Sequence, residues 1–108
     1  MALPCGSMRS FLHIWQADLA GPPSAWRAAE ASLRPAELAR QARLRTPALR
    51  QTYGRAHAFL RAVLALYTEL PPTSLAFAAA SQGKPLLLGS DLHFNLSYRA
   101  GRAVLARP

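Results

Sequence analysis

The chain has 108 residues, enough for one domain with a single modest core and too few for two. Apolar residues make up 51% of it, which excludes a disordered basic tail, while 13 Lys and Arg against 5 Asp and Glu give a formal charge of +8. That charge favours polyanions or acidic proteins, and charge alone does not choose among nucleic acid, a phosphorylated cofactor and an acidic partner. An Arg- and Ala-rich composition equally fits coding bias. The single cysteine, Cys5, excludes an intramolecular disulfide and a cysteine metal cluster. No stretch reads as a signal peptide or approaches the ~20 apolar residues of a membrane span, so the expected location is cytoplasmic, away from any membrane.

Residues 1–10 are expected to form a flexible N-terminus, with the folded part running from 11 to 108. Phe11 to Ala17 reads as a strand with Phe11, His13 and Trp15 on one face, and Gly21-Pro22-Pro23 breaks it. Ser24 is then a candidate N-cap for a short helix, and Pro35 suits the first turn of a second one over PAELARQARLR. The clearest element begins at Thr46-Pro47, a capping residue followed by proline. From there Leu49, Tyr53, Ala56, Leu60, Val63, Leu64 and Tyr67 recur at three- and four-residue steps, which predicts one apolar face of a long helix. Arg50, Arg55 and Arg61 fall between them, and Gly54 weakens the helix unless another backbone approaches closely there. Pro71-Pro72 ends it. SLAFAAA, KPLLLG, HFNLSY and RAVLARP read as short strands. The pattern predicts an α+β fold in which an antiparallel sheet is packed by one long helix and short helices.

Few side chains suggest chemistry by spacing. His13, His57 and His93 have no metal-ligand relation and read as structural, and Asp18, Glu30, Glu37, Glu69 and Asp91 form no close acidic pair. Ser97 lacks a nucleophile-elbow pattern. Arg40 and Arg43 share a helical face near Arg45 and Arg50, a set able to grip phosphate or simply to face solvent. No nucleic-acid motif interleaves aromatics with these basic residues, so nucleic acid is disfavoured as a partner. One residue stands apart: Lys84 is the only lysine among twelve arginines and sits between Gly83 and Pro85.

The order of these motifs is informative. An aromatic strand LHIWQADL, a basic helical region, the long helix YGRAHAFLRAVLALY, the Gly83-Lys84-Pro85 turn and Phe94-Asn95-Leu96-Ser97 follow one another. Over about Phe11 to Ala106 the chain resembles the N-terminal half of Sfp-type 4'-phosphopantetheinyl transferases. The resemblance implies one half of a pseudo-dimeric α+β fold with the active site at the seam. It implies that Lys84, Ser97 and the residue at 98 contact the nucleotide phosphates of coenzyme A, the substrate, and that Arg40 or Arg43 helps to hold its 3'-phosphate.

The reaction so implied is Mg²⁺-dependent transfer of 4'-phosphopantetheine to a serine of an acyl or peptidyl carrier protein. Two departures from the family pattern bear on it. Tyr98 stands where the family usually has a histidine, and a phenol donates one hydrogen bond but carries no positive charge. The family's Gly-x-Asp-x-Glu and Trp-x-x-Lys-Glu motifs, which hold magnesium and supply catalytic groups, have no counterpart in these residues, so the chain by itself is expected to be inactive. The alternatives are a non-catalytic half-domain that pairs with a C-terminal half or with a second copy, and a basic nucleic-acid-binding domain suggested by net charge.

Overall fold

A computed structural model describes residues 13–79, 85–99 and 101–107, so the expectations for residues 1–10, Cys5 and Phe11 lie outside the described residues. In chain order the elements are β1 (His13–Asp18), α1 (Pro23–Glu30), α2 (Pro35–Ala42), α3 (Pro47–Thr68), β2 (Phe77–Ala79), β3 (Pro85–Leu87), β4 (Asn95–Arg99) and β5 (Arg102–Arg107). A short 3₁₀ turn, Pro72–Ser74, leads from α3 towards β2. No helix among the described residues is long and apolar enough to cross a membrane.

The α+β class holds, with α3 packed on an antiparallel three-stranded sheet of order β1-β5-β4. One difference from expectation concerns β2 and β3, which form their own antiparallel pair instead of extending that sheet. Each is only three residues long. A ladder of Phe77↔Leu87, Ala78↔Leu86 and Ala79↔Pro85 satisfies the two strands mutually, and Pro85 brings no N–H to it.

Alternation along the strands decides what faces α3. Trp15, Leu105 and Leu96 lie side by side across the sheet, as do Ala17, Ala103 and Tyr98. The first row meets Leu60, Val63 and Leu64 of α3 in the main core, with Leu75 and Leu87 closing it from the small sheet's side. Each fully buried leucine contributes roughly 1.5–3 kcal/mol through lost apolar exposure. Leu49 is the exception to the predicted face, 51% exposed because it precedes the part of α3 that meets the sheet.

The helix starts follow local chemistry. Thr46 Oγ1 accepts a hydrogen bond from the Leu49 amide at 3.1 Å, and Pro47 fills the first turn of α3, where a missing N–H costs nothing. In α1 the N-cap is Pro22, not Ser24, and no side chain caps the helix. Pro23 accounts for the shift, because its fixed φ suits the first helical position and draws the helix start two residues earlier. In α2 the Glu37 carboxylate returns to the Arg34 amide at 2.8 Å. Glu69 ends α3 in a left-handed conformation, φ 60°, and hands its N–H to the Ala65 carbonyl.

Three positions in α3 depart from what periodicity suggests. At Gly54 the close neighbours are side chains and not another backbone: a Cβ would run into Gln41 Nε2 and come within 2.6 Å of Glu30 Oε2. Gln41 uses that space to donate to the Arg50 carbonyl at 2.8 Å, which ties α2 to α3. Arg55 and Arg61 are not on a solvated face, since they are 1% and 2% exposed and each crosslinks distant parts of the chain.

Candidate functional site

On α3, Tyr53, His57 and Arg61 follow at four-residue intervals and therefore share one stripe. Against this stripe α2 brings Glu37, and β4 brings Tyr98 on the sheet face turned towards the helix. Arg61 Nη2 and Glu37 Oε1 pair at 2.8 Å, with Arg61 Nε donating to the same carboxylate at 2.9 and 3.2 Å. The other side of the guanidinium donates to the Pro72 and Leu75 carbonyls at 2.7 and 2.8 Å, so this one arginine joins α2, α3 and the chain after α3. Above the ion pair, the His57 ring stacks on Tyr53 with centroids 4.1 Å apart. Tyr98 meets the His57 ring edge-on at 6.0 Å and 78°.

The electrostatics follow from burial and neighbours. Burial alone would raise the Glu37 pKa, but His57, Arg61 and the Arg34 amide outweigh it and bring it below its ordinary 4.5. Glu37 is thus held as a carboxylate. Burial, helped by the charge of Glu37, pushes the Tyr53 phenol up to about 12 despite an opposing pull from Arg40. Burial also raises the Tyr98 pKa, again against Arg40. Both phenols remain neutral hydrogen-bond donors at neutral pH, and the Arg40 charge acts on both of them.

The structure places the sequence-derived site residues unevenly. Arg40 lies in the last turn of α2, exposed, and its field reaches Tyr53 and Tyr98. Arg43 is the C-cap of α2, exposed, with its amide bonded to Arg40 and Gln41 carbonyls. Tyr98 is 39% exposed and faces α3. Ser97 is exposed on the opposite face of β4, because neighbouring strand residues alternate, so its side chain and the Tyr98 phenol do not converge within the strand. Lys84 lies outside the described residues. Sequence reasoning missed His57 and Glu37. The available signal was the four-residue spacing of Tyr53, His57 and Arg61, a polar line inside an otherwise apolar helix face.

A cleft of about 570 Å³ lies beside the ion pair, lined by Arg34, Glu37, Arg61, Ser74 and Phe77 among others. Arg61 also lies over the Phe77 ring at 5.1 Å. Among the described residues no group of three His, Cys, Asp or Glu side chains could hold a metal ion. The carboxylate nearest the site, Glu37, is already committed to Arg61, so the residues described here do not fit a magnesium centre. The donors around Tyr98 instead suit an anion: a guanidinium, an imidazole and a neutral phenol.

At the other end of the sheet a second polar cluster is closed upon itself. Trp15 Nε1 donates to the Tyr67 hydroxyl at 2.8 Å, which leaves the phenol proton for His13 Nδ1 at 2.7 Å. The Arg107 guanidinium covers the Tyr67 ring at 4.6 Å.

No protein-family model matches the chain. A curated protein does: the 4'-phosphopantetheinyl transferase HetI of Nostoc sp. (strain PCC 7120) is 33% identical over 99 residues, 88% of this chain and 42% of that protein. The chain is thus similar, over most of its own length, to part of a 4'-phosphopantetheinyl transferase. The family resemblance read from the motifs is thereby borne out across most of the 108 residues. With respect to the transferase HetI, the chain spans less than half its length.

Proposed function

We propose that this chain is the coenzyme A-binding half of a 4'-phosphopantetheinyl transferase, with the anion held where α2, α3 and β4 meet. The observation that carries the reading is Tyr98, read from the sequence as a phosphate contact, on the α3-facing side of β4 with its ring 6.0 Å from His57, while Arg40 lies in the last turn of α2, which packs on the same helix. It is supported by similarity to a transferase over 88% of the chain. Coenzyme A has several negative charges, and this corner offers a guanidinium able to make paired hydrogen bonds together with a neutral phenolic donor. Lys84, which precedes β3 in the sequence, is proposed as a further phosphate contact through its compact charge. Ser97, on the far face of β4, contributes to such a site through its strand's end or its backbone and not by sharing a face with Tyr98.

The reaction proposed for the assembled enzyme is transfer of 4'-phosphopantetheine to a serine of an acyl or peptidyl carrier protein. Magnesium, when bound, would neutralise charge on the pyrophosphate. Its ligands and the group that takes the serine proton are proposed to come from outside these 108 residues, either from more of the same polypeptide or from a partner chain.

Incubation of the purified chain with coenzyme A, Mg²⁺ and an apo-carrier protein, read by mass spectrometry of the carrier, tests this division. The expected result is unmodified carrier. Holo-carrier made by the chain alone would show that the catalytic groups are present here and overturn the half-site reading.

A further inference from the structure

The two ends of α3 differ in charge and in relief. Towards its C-terminal end a hollow of about 330 Å³ opens between the helix, the β2-β3 pair and the chain that leads to β4, lined by Tyr67, Leu70, Leu75, Leu87, Leu88 and Leu92 among others. No charged side chain lines it among the described residues. Its polar side chains are largely engaged already: Thr68 Oγ1 donates to the Leu64 carbonyl at 2.9 Å, the Tyr67 hydroxyl lies between Trp15 Nε1 and His13 Nδ1, and Ser90 Oγ accepts from the Leu92 amide at 3.0 Å. Leu70 and Leu88 remain 49% and 55% exposed. Such a hollow suits an apolar side chain.

The charge around the hollow runs against that of the chain. Glu69 adjoins Leu70 and Asp91 adjoins Leu92, so two of the five carboxylates in a chain of net charge +8 flank this one opening. Both residues are exposed, and neither is ion-paired among the described residues. The complement of this opening is an apolar group presented between cations.

The chain itself displays such a group. Leu49, in the first turn of α3, is 51% exposed, and the exposed Arg43 and Arg45 stand just before that helix begins. Because α3 has 22 residues, about 33 Å of helix separates this end from the hollow, and the two cannot meet within one copy. They can meet between two.

We propose that this chain self-associates head to tail, Leu49 of one copy entering the leucine hollow of the next while Arg43 and Arg45 face Glu69 and Asp91. A contact between unlike surfaces leaves one end of each copy open, so assembly continues past a dimer or closes into a ring. The coenzyme A reading plays no part in this inference.

Sedimentation velocity of the purified chain from about 10 μM to about 1 mM, a range suited to a small and transient contact, tests it, with Leu49→Glu and Leu88→Glu run singly and as an equimolar mixture. The parent should pass from the 11.7 kDa monomer to species larger than a dimer. Both altered positions are more than half exposed, so the fold is retained, and each variant alone should stay monomeric because it lacks one of the two ends. Mixed, the two should form a one-to-one pair, since Leu49→Glu keeps the hollow and Leu88→Glu keeps the entering leucine. Asp91→Lys, with both leucines in place, should weaken the association severalfold, the scale of an exposed ion pair. A parent that stays monomeric throughout overturns the proposal. So does an association that either leucine variant leaves intact, or one that stops at a dimer and is not restored by mixing, the mark of a contact between like faces.

Discussion

Arg61→Ala is expected to cost about 3–5 kcal/mol, the loss that follows when one partner of a buried ion pair is removed. A domain of this size has only about 5–15 kcal/mol in hand, so most or all of the cooperative unfolding transition should disappear. The reason is geometric. Arg61 is 2% exposed, pairs with Glu37 and donates to the carbonyls of Pro72 and Leu75, so its loss strands a carboxylate and two carbonyls at once. Arg61→Lys should recover little, because an ammonium cannot serve these three directions from one plane. Arg61→Met combined with Glu37→Leu should be more stable than either single variant, since both charges leave together. Thermal melts of the parent and these variants check this, and a single Arg61→Ala variant as stable as the parent would show that the pair is not what ties α2 to α3.

The same pair sets an acid limit. The Glu37 pKa is lowered in the folded chain relative to its ordinary 4.5, so the unfolded chain takes up a proton first. Its stabilisation is therefore complete above that value and drains away as the pH falls through the lower, folded one. Above it, deprotonation of Glu37 adds nothing further.

The second large effect is expected at Arg55, which is 1% exposed. Its Nη1 donates to the carbonyls of Leu19 at 2.7 Å and Gly21 at 2.9 Å, where the chain leaves β1 and turns into α1. Gly21 adopts φ 108° there, a conformation that side-chain-bearing residues rarely take, and between the two carbonyls Trp26 Nε1 donates to that of Ala20 at 3.0 Å. Trp26 lies under the guanidinium at 5.4 Å. Arg55→Met keeps much of the volume but leaves both carbonyls unpaired. A loss of about 3 kcal/mol follows from two hydrogen bonds to a charged donor, net of the relief from burying that charge. Chemical denaturation measures it, and a change below about 0.5 kcal/mol, the range of ordinary surface substitutions, would contradict the role.

These two arginines also show where sequence reading stops. Thr46-Pro47, the apolar steps from Tyr53 to Leu64 and the alternation of His13 and Trp15 are local signals, and each led to the element the structure has. Arg55 and Arg61 sit within the same periodic stretch, but what buries them lies 36 and 24 residues away at Leu19 and Glu37. Nothing local distinguishes such an arginine from one in solvent. The separate β2-β3 pair was hidden for a related reason, because three-residue strands carry too short a pattern to announce their partners.

The candidate site was half legible. Family motifs pointed to Arg40, Arg43, Lys84, Ser97 and Tyr98, and of these Arg40 lies in the last turn of α2 and Tyr98 on the side of β4 that faces α3. Strand alternation sends Ser97 to the other face of β4, a separation visible only once Leu96 is known to pack against α3. His57 had no sequence neighbour of its own kind and gained its surroundings through helix stacking on Tyr53 and contact with β4.

The most direct measurement is a calorimetric titration of coenzyme A and of 3'-dephospho-coenzyme A into the purified chain, repeated with Arg40→Ala and Lys84→Ala. Coenzyme A should bind, and binding should weaken about tenfold when the 3'-phosphate or the Arg40 charge is removed, in line with one charge-assisted hydrogen bond. No heat from a chain shown to be folded, or equal affinity for both ligands in the parent and the variants, would contradict a coenzyme A half-site at the meeting of α2, α3 and β4.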